Sequence, residues 1–272
     1  MERAEDKYDL IEVLKETANK FQPKLFGQLK TKLNEKESKI LDRLFGTFYR
    51  KEKIKGRWWD PYHVLLSASF AVELERTTPL ISVVPAILLH DIGYYAIEDK
   101  NNWDASQSRI IHMQEGTGPS AEILIRCGYG PWEIKTIIGG IASHDNEYLG
   151  IKIKDLYRLG LRDADRAWVM HPLSFYKDYI LKKNKNPEFS LQDLFKKRVT
   201  SFYGREETLP VSGWERIDGL SQPPYTDLAK QWRDRQFRYL WQEIQGNITE
   251  NKKVFRESVE RHIRAELKEG RG

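Results

Sequence analysis

The stretch Ala86–Gly93, AILLHDIG, decides the fold, because an apolar helical segment leads directly into two ionisable residues. Apolar side chains lie nearly all round the helix predicted over 79–91, a pattern typical of a buried helix. His90 and Asp91 at its end are therefore expected in the interior. A buried carboxylate without a partner is very costly, so Asp91 requires a cation or several hydrogen-bond donors beside it.

Helical periodicity continues on both sides of this stretch. Further helices are predicted over 8–21, 33–48, 62–75, 118–128, 131–144, 155–183 and 227–248. Residues 101–109 are polar and predict a loop, and Gly93 is read as a helix stop. Gly139 and Gly140, unusual inside a helix, indicate close approach of a neighbouring helix or of substrate. No segment alternates convincingly as a strand does, so the predicted fold class is all-α.

The composition excludes several classes of protein. With 40% hydrophobic and 31% charged residues, the 272-residue chain is not of the disordered type and can bury a sizeable core. The net charge of +5 is a small excess that suits anionic small substrates at least as well as nucleic acid, which is not an expected partner. The single cysteine, Cys127, excludes an intramolecular disulfide, and no apolar segment is long enough to span a bilayer. These features predict a cytoplasmic protein that does not use a membrane.

Six ionisable residues in the apolar middle of the chain form an ordered series. They are His63, His90, Asp91, His112, His144 and Asp165. Apart from the adjacent pair, successive members are 21 to 32 residues apart, which is about one helix plus a turn. Helical bundles build metal sites from inward-facing side chains on several helices, and imidazole with carboxylate suits Zn, Fe, Mn or Mg. The alternative for each histidine is a hydrogen-bonded core residue.

The series resembles the HD superfamily of metal-dependent phosphohydrolases. That family has a His, then a His-Asp doublet, then a distal Asp, and many members add two His to hold a second metal. The sequence around these residues is also similar to that of the family, with LLHDIG over 88–93, HMQEG over 112–116 and DADR over 163–166. The resemblance covers about 58–182 and implies a helical bundle around two divalent metal ions. It implies Asp165 as the distal ligand and leaves Asp163 to cap, to pair with an arginine or to ligate.

The resemblance also implies the activity. It predicts a phosphohydrolase that cleaves a phosphate ester or anhydride, in a nucleotide or another small phosphorylated molecule, with a metal-activated water. Asp91 is expected to hold the metals and the water. Glu115 is expected to orient a ligand or water from the helical face of His112, and Arg166 to meet the phosphate. The alternatives are a di-iron oxygenase with the same six ligands and a regulatory nucleotide-binding module. Whether the chain forms a homodimer is left open.

The flanks lie outside this resemblance. The predicted organisation is an N-terminal helical extension over 1–57, a metal-binding domain over 58–183, and an irregular segment plus C-terminal helices over 184–272. Residues 184–224 are rich in Pro and Gly and are predicted to be irregular. They are expected to form a wall above the metals, to cover the far side of the bundle or to build an oligomer contact. The basic run 51–57 and the tail 251–272, with His262, are predicted to be solvated.

Overall fold

The computed structural model describes residues 10–49, 57–78, 82–97, 106–203, 224–246 and 251–269. These residues are mostly helical and include no β-strand, which confirms the predicted all-α class. Within the same ranges, every helix is too short or too polar to cross a bilayer.

The helices are numbered along the chain. They are α1 (Leu10–Lys30), α2 (Glu35–Thr47), α3 (Asp60–Thr77), α4 (Val84–Leu89), α5 (Ser106–Glu115), α6 (Thr117–Arg126), α7 (Pro131–Ile141), α8 (Leu156–Met170), α9 (Pro172–Lys185), α10 (Leu191–Tyr203), α11 (Asp227–Gln245) and α12 (Lys252–Glu269). Short 3₁₀ helices cover Ile92–Ala96 and Asn146–Leu149.

The chain divides into two compact units. The first, called the site unit here, comprises 24–168 and 224–230. The second unit comprises 1–23, 169–223 and 231–272. All six members of the ordered His/Asp series belong to the site unit. The predicted division at 57 and 183 stays a prediction.

The central apolar helix is shorter than the sequence predicted. Residues 79–81 lie outside the described part, and α4 covers only Val84–Leu89. The Glu75 carboxylate accepts hydrogen bonds from the backbone N–H groups of Val83 and Val84 at 2.5 and 2.9 Å, which caps the start of α4. After Leu89 the chain turns through His90 and Asp91 into the 3₁₀ helix. This turn, rather than a continuing helix, presents both side chains to one centre.

Gly93 lies inside the 3₁₀ helix and is not the helix stop that the sequence predicted. A Cβ atom there would lie 1.9 Å from the carbonyl oxygen of His112 and 2.6 Å from the backbone nitrogen of Gly116. Only a residue without a side chain allows these two backbones to touch. The contact fixes the end of α5, and with it His112, beside the His90–Asp91 turn.

Gly140 has a similar function between α7 and α8. A Cβ atom at this position would lie 2.8 Å from the ring of Tyr157 and 3.2 Å from the side chain of Leu161. The prediction that a glycine here allows close helix approach is therefore confirmed. The contact brings the end of α7, near His144, against the helix that carries Asp165.

Three other boundaries differ from the prediction. The polar segment over 101–109 is helical from Ser106, where α5 begins, and 101–105 lie outside the described residues. The helix predicted over 131–144 ends at Ile141, so His144 lies in the turn that follows. The helix predicted over 155–183 is interrupted at His171, because Pro172 disfavours helical backbone at the residue before it and starts α9 instead.

The second unit corrects two further predictions. Within 184–224, residues 191–203 form α10, with Leu194, Phe195 and Val199 buried. The predicted solvated tail forms α12, whose Phe255, Val259 and Ile263 are fully buried. Residues 204–223 lie outside the described part, so the wall above the metals stays a prediction.

Candidate metal centre

The site unit brings all six predicted ligands together. His63 comes from α3, His90 and Asp91 from the turn after α4, and His112 from α5, while His144 follows α7 and Asp165 lies on α8. Asp165 Oδ1 lies 2.9 Å from His63 Nε2 and 3.2 Å from His90 Nε2. Asp91 Oδ1 lies 3.4, 3.7 and 3.8 Å from the Nε2 atoms of His90, His112 and His144. Residues far apart in sequence thus meet around one carboxylate.

Backbone carbonyl groups orient three of the imidazoles. The Nδ1–H of His90 donates to the Ile87 carbonyl at 2.7 Å, and that of His144 donates to the Ile141 carbonyl at 2.7 Å. His112 Nδ1–H donates to the Ser108 carbonyl at 3.1 Å. Metal-binding histidines commonly donate their second ring nitrogen in this way. The Nε2 atom of each ring then points away from this bond, toward Asp91.

The Nε2 atoms of the cluster require positive charge beside them. His112 Nε2 and His144 Nε2 lie 3.0 Å apart, although both rings already donate through Nδ1. Two neutral rings would face each other with lone pairs, so the contact requires positive charge, either a metal ion or a proton on His144, whose pKa Asp91 and Asp145 raise against the effect of burial. His90 Nε2 is fully buried and makes no hydrogen bond of acceptable geometry. Both features place positive charge among these Nε2 atoms, so the arrangement is compatible with a metal ion there.

The charges of the centre favour the same conclusion. Burial alone would raise the pKa of Asp91, but His90, His144 and Arg57 hold that pKa well below its usual range. Burial is likewise outweighed at Asp165, where the neighbouring His63 and His90 rings lower the pKa of the carboxyl. Burial would lower the pKa of His90, yet Asp91 and Asp165 raise it to about 9. Two ionised carboxylates thus draw positive charge to the position that His90 Nε2 faces.

His112 behaves differently. Burial and the neighbouring His144 lower the pKa of His112 to about 3. This ring therefore stays neutral at physiological pH, and a neutral imidazole is the form that binds a metal.

The ligand atoms form two groups that share Asp91. His63, His90 and Asp91 offer atoms that all lie within 4.8 Å of one another, and Asp91, His112 and His144 do the same. Asp165 adjoins the first group through its contacts with His63 and His90. The residues fit one or two divalent ions of the kind that oxygen and imidazole ligands bind. The shared position of Asp91 suits a carboxylate that serves both.

The centre opens toward one side. The side chain of Asp165 is 15% exposed, whereas those of His90 and His112 are fully buried. His63 and Asp91 are nearly buried, at 7% and 8%. Solvent therefore reaches the cluster at its Asp165 edge.

Glu115 and Arg166 lie differently from the six ligands. Glu115 is an exposed residue at the end of α5, and its side chain makes no hydrogen bond or ion pair with another described residue. His112 is oriented by the Ser108 carbonyl instead, so the catalytic role of Glu115 stays a prediction. Arg166 is buried in α8, directly after Asp165, and its contact with phosphate also stays a prediction.

Asp163 acts as a cap. Its carboxylate accepts hydrogen bonds from the backbone N–H groups of Tyr225 and Thr226 and from the Thr226 hydroxyl, at 2.8–3.0 Å. Arg162 also donates to it at 3.2 Å. Of the three functions left open from the sequence, capping and arginine pairing are the ones found here. Asp163 thus ties the start of α11 to the helix that bears Asp165.

The sequence analysis missed a second layer of charged residues. Arg57 is buried and donates to Asp60 at 2.6 Å and to Asp91 Oδ2 at 3.0 Å, which corrects its assignment to a solvated run. Arg109 donates to Asp145 at 2.7 Å, and Asp145 Oδ2 lies 3.8 Å from His112 Nε2. The need of a buried Asp91 for donors was visible in the sequence. Which arginine supplies them was not, because Arg57 and Asp91 are 34 residues apart.

A second histidine cluster, in the second unit, offers a useful contrast. His171, His262 and Glu266 also place possible ligand atoms within 4.8 Å of one another. Here, however, His171 Nδ1 accepts from the Leu173 N–H at 3.1 Å, so its Nε2–H donates to Glu266 at 2.9 Å. His262 Nε2 lies 2.7 Å from the Gln236 amide oxygen. Donors meet acceptors at these atoms, so the contacts of the cluster are satisfied within the protein, and His262 is not the solvated residue predicted from the sequence.

Comparison of the chain with protein-family models, curated proteins and solved structures finds no significant match. The resemblance to the HD superfamily therefore rests on the motifs and on their order along the chain.

Proposed function

We propose that this chain is a metal-dependent phosphohydrolase of the HD type. Its substrate would carry a phosphate ester or anhydride, as nucleotides and other small phosphorylated molecules do. One observation carries the proposal: three Nε2 atoms, each on a ring that a backbone carbonyl orients through Nδ1, converge with two ionised carboxylates in a nearly buried cluster. A structural cluster of the same residue types, such as that around Glu266, is satisfied internally.

Each ligand would have a definite part. His63, His90, Asp91 and Asp165 would hold one ion, and Asp91, His112 and His144 would hold a second. When bound, divalent ions at such a centre polarise the phosphoryl oxygen and lower the pKa of a bound water to about 7. The exposed edge at Asp165 would admit the phosphate group. Arg166, one residue further along α8, would add positive charge for an anionic substrate, and Glu115 would assist from the end of α5.

The test begins with metal content. The chain is purified without added metal, analysed for bound elements, and then loaded with Mn²⁺, Mg²⁺, Zn²⁺ or Fe²⁺. Phosphate release is measured over a panel of nucleotides and sugar phosphates, with and without oxygen. Asp91→Asn should abolish turnover, whereas His262→Gln, in the cluster around Glu266, should retain it.

The outcomes separate the candidate functions. Phosphate release that proceeds without oxygen and is lost in Asp91→Asn supports the hydrolase. Oxygen consumption by the iron-loaded chain, with no phosphate release from any compound tested, would replace it by the di-iron oxygenase. Nucleotide binding without turnover under every loading would favour the regulatory module.

A further inference from the structure

A three-layer stack lies beside the metal centre. The guanidinium carbon of Arg57 lies 3.7 Å from the centroid of the Tyr94 ring. The other layer of the stack is His112, whose ring is nearly parallel to that of Tyr94, with 3.9 Å between centroids and 7° between planes. Tyr94 comes from the 3₁₀ helix, and its ring therefore connects an arginine to a predicted metal ligand. Such a flat contact restricts rotation of the His112 ring.

Arg57 also holds the carboxylate that both ligand groups share. Its Nη2 donates to Asp91 Oδ2 at 3.0 Å, on the side where His63 Nδ1 lies 3.5 Å away. Asp91 Oδ1 is then left to face His90, His112 and His144. The two oxygens of one carboxylate thus have different surroundings, and Arg57 sets which oxygen faces which histidines.

Asp60 makes this arrangement compatible with a metal ion. A lone arginine beside the centre would repel a divalent cation. Asp60 accepts from Arg57 Nε at 2.6 Å, and both side chains are nearly buried. The Arg57–Asp60 pair is therefore close to neutral, and it supplies a directed hydrogen bond with little net charge.

We propose that Arg57, Asp60 and Tyr94 form a positioning clamp for the metal centre. The clamp orients Asp91 through its Oδ2 atom and the ring of His112 through the stack, and none of its three members binds metal itself. This inference rests on the metal centre of the proposed function. It assigns residues that neither the sequence series nor the resemblance includes.

The experiment measures Mn²⁺ binding by calorimetric titration of the full chain. Loss of an outer residue that orients metal ligands typically weakens metal affinity by about 10–100-fold. We expect a loss of this size in Tyr94→Leu and in Arg57→Gln/Asp60→Asn, which keeps the clamp region neutral. Tyr94→Phe retains the ring and should bind as the wild type does. Arg57→Lys keeps the charge but loses the planar fork, and should also bind more weakly.

The second unit provides a matched control. The guanidinium carbon of Arg233 also lies 3.7 Å from an aromatic centroid, that of Tyr203. Tyr203→Leu removes a similar cation–π contact far along the chain from the ligands and should leave Mn²⁺ affinity unchanged. Circular dichroism reports whether each variant folds, and the absorption spectrum of Co²⁺ reports changes in ligand geometry.

Several results would overturn the clamp. Wild-type affinity in Tyr94→Leu and the double variant would overturn it, and so would equal losses in Tyr94→Leu and Tyr203→Leu. If those variants do not fold, the test uses Arg57→Lys instead. Wild-type Mn²⁺ affinity and an unchanged Co²⁺ spectrum in Arg57→Lys would then overturn the clamp. A wild-type chain that binds no divalent metal would overturn the metal centre as well, so the two failures can be told apart.

Discussion

Replacement of Gly93 by alanine tests how the fold places His112. The new Cβ would lie 1.9 Å from the His112 carbonyl oxygen, and an ordinary contact begins near 3.4 Å, so the two backbones must separate by about 1.5 Å. Backbone atoms cannot rotate away as a flexible side chain does. Overpacking of this kind costs about 1–3 kcal/mol, and we expect the upper end here.

The assay combines thermal unfolding with Mn²⁺ titration. A loss of about 3 kcal/mol in a chain of this size lowers the unfolding midpoint by about 6–12 °C. The displaced His112 should also weaken Mn²⁺ binding in the fraction that folds. Gly118→Ala is the matched control, because nothing lies within 4 Å of a Cβ there and the residue is in helix α6. Alanine in a helix is favoured over glycine by about 1 kcal/mol, so this variant should be as stable as the wild type or more so.

A Gly93→Ala protein with the wild-type midpoint and Mn²⁺ affinity would refute the reasoning. It would mean that the contact between the 3₁₀ helix and the end of α5 does not fix His112. A lowered unfolding midpoint with unchanged Mn²⁺ affinity would support the packing argument at Gly93. It would also show that this packing does not determine metal binding at the centre.

Three further predictions concern Asp91, Gly140 and Glu266. Asp91→Ala should remove at least one metal ion, as elemental analysis of the folded variant will show, because both ligand groups share this residue; full occupancy would contradict the assignment. Gly140→Ala should lower the unfolding midpoint, because its Cβ would meet Tyr157 at 2.8 Å, and an unchanged midpoint would show that the ring moves aside at no cost. The contribution of the His171–Glu266 pair to stability should fall as the pH drops from 7 to 4 in urea titrations. Interactions with His171 and His262 outweigh burial and lower the pKa of Glu266 in the folded chain, and burial lowers the pKa of His171. Both groups therefore take up protons more readily in the unfolded chain. As the pH falls through their pKa values in the unfolded chain, the unfolded state is favoured. Glu266→Gln should reduce this pH dependence, and an identical slope would argue against it.

Helix existence could be predicted from periodicity, because apolar spacing is a local property. The core positions of α1 and α2, such as Leu14 and Leu41, are fully buried as the amphipathic pattern indicated. The helix α10 was missed because its apolar stripe is short and lies within a segment rich in Pro and Gly. Pro172 indicates the break at His171, but the helical pattern continues past it, so one uninterrupted helix was predicted. The predicted helix boundaries were thus wrong where a single residue decides where a helix ends.

The convergence of the six candidate ligands could be predicted because their order along the chain matches a known pattern, and the structure brings them together. Arg57 and Tyr94 could not be predicted, since their importance depends on contacts that exist only after α3, α4 and α5 have packed. Glu115 stays a prediction that the structure does not test. Its spacing from His112 satisfied a helical-face argument, but α5 ends there and a backbone carbonyl already occupies His112 Nδ1.

The carbonyl groups that orient three imidazoles have a consequence for how this chain can evolve. Every residue type carries a backbone carbonyl, so substitutions at Ile87, Ser108 and Ile141 leave the three acceptors in place. An orienting aspartate or asparagine would be lost by a single codon change. Here the orientation of the three imidazole rings instead depends on the path of the main chain. A lineage built this way can diverge widely in sequence around its histidines while they keep facing the same point.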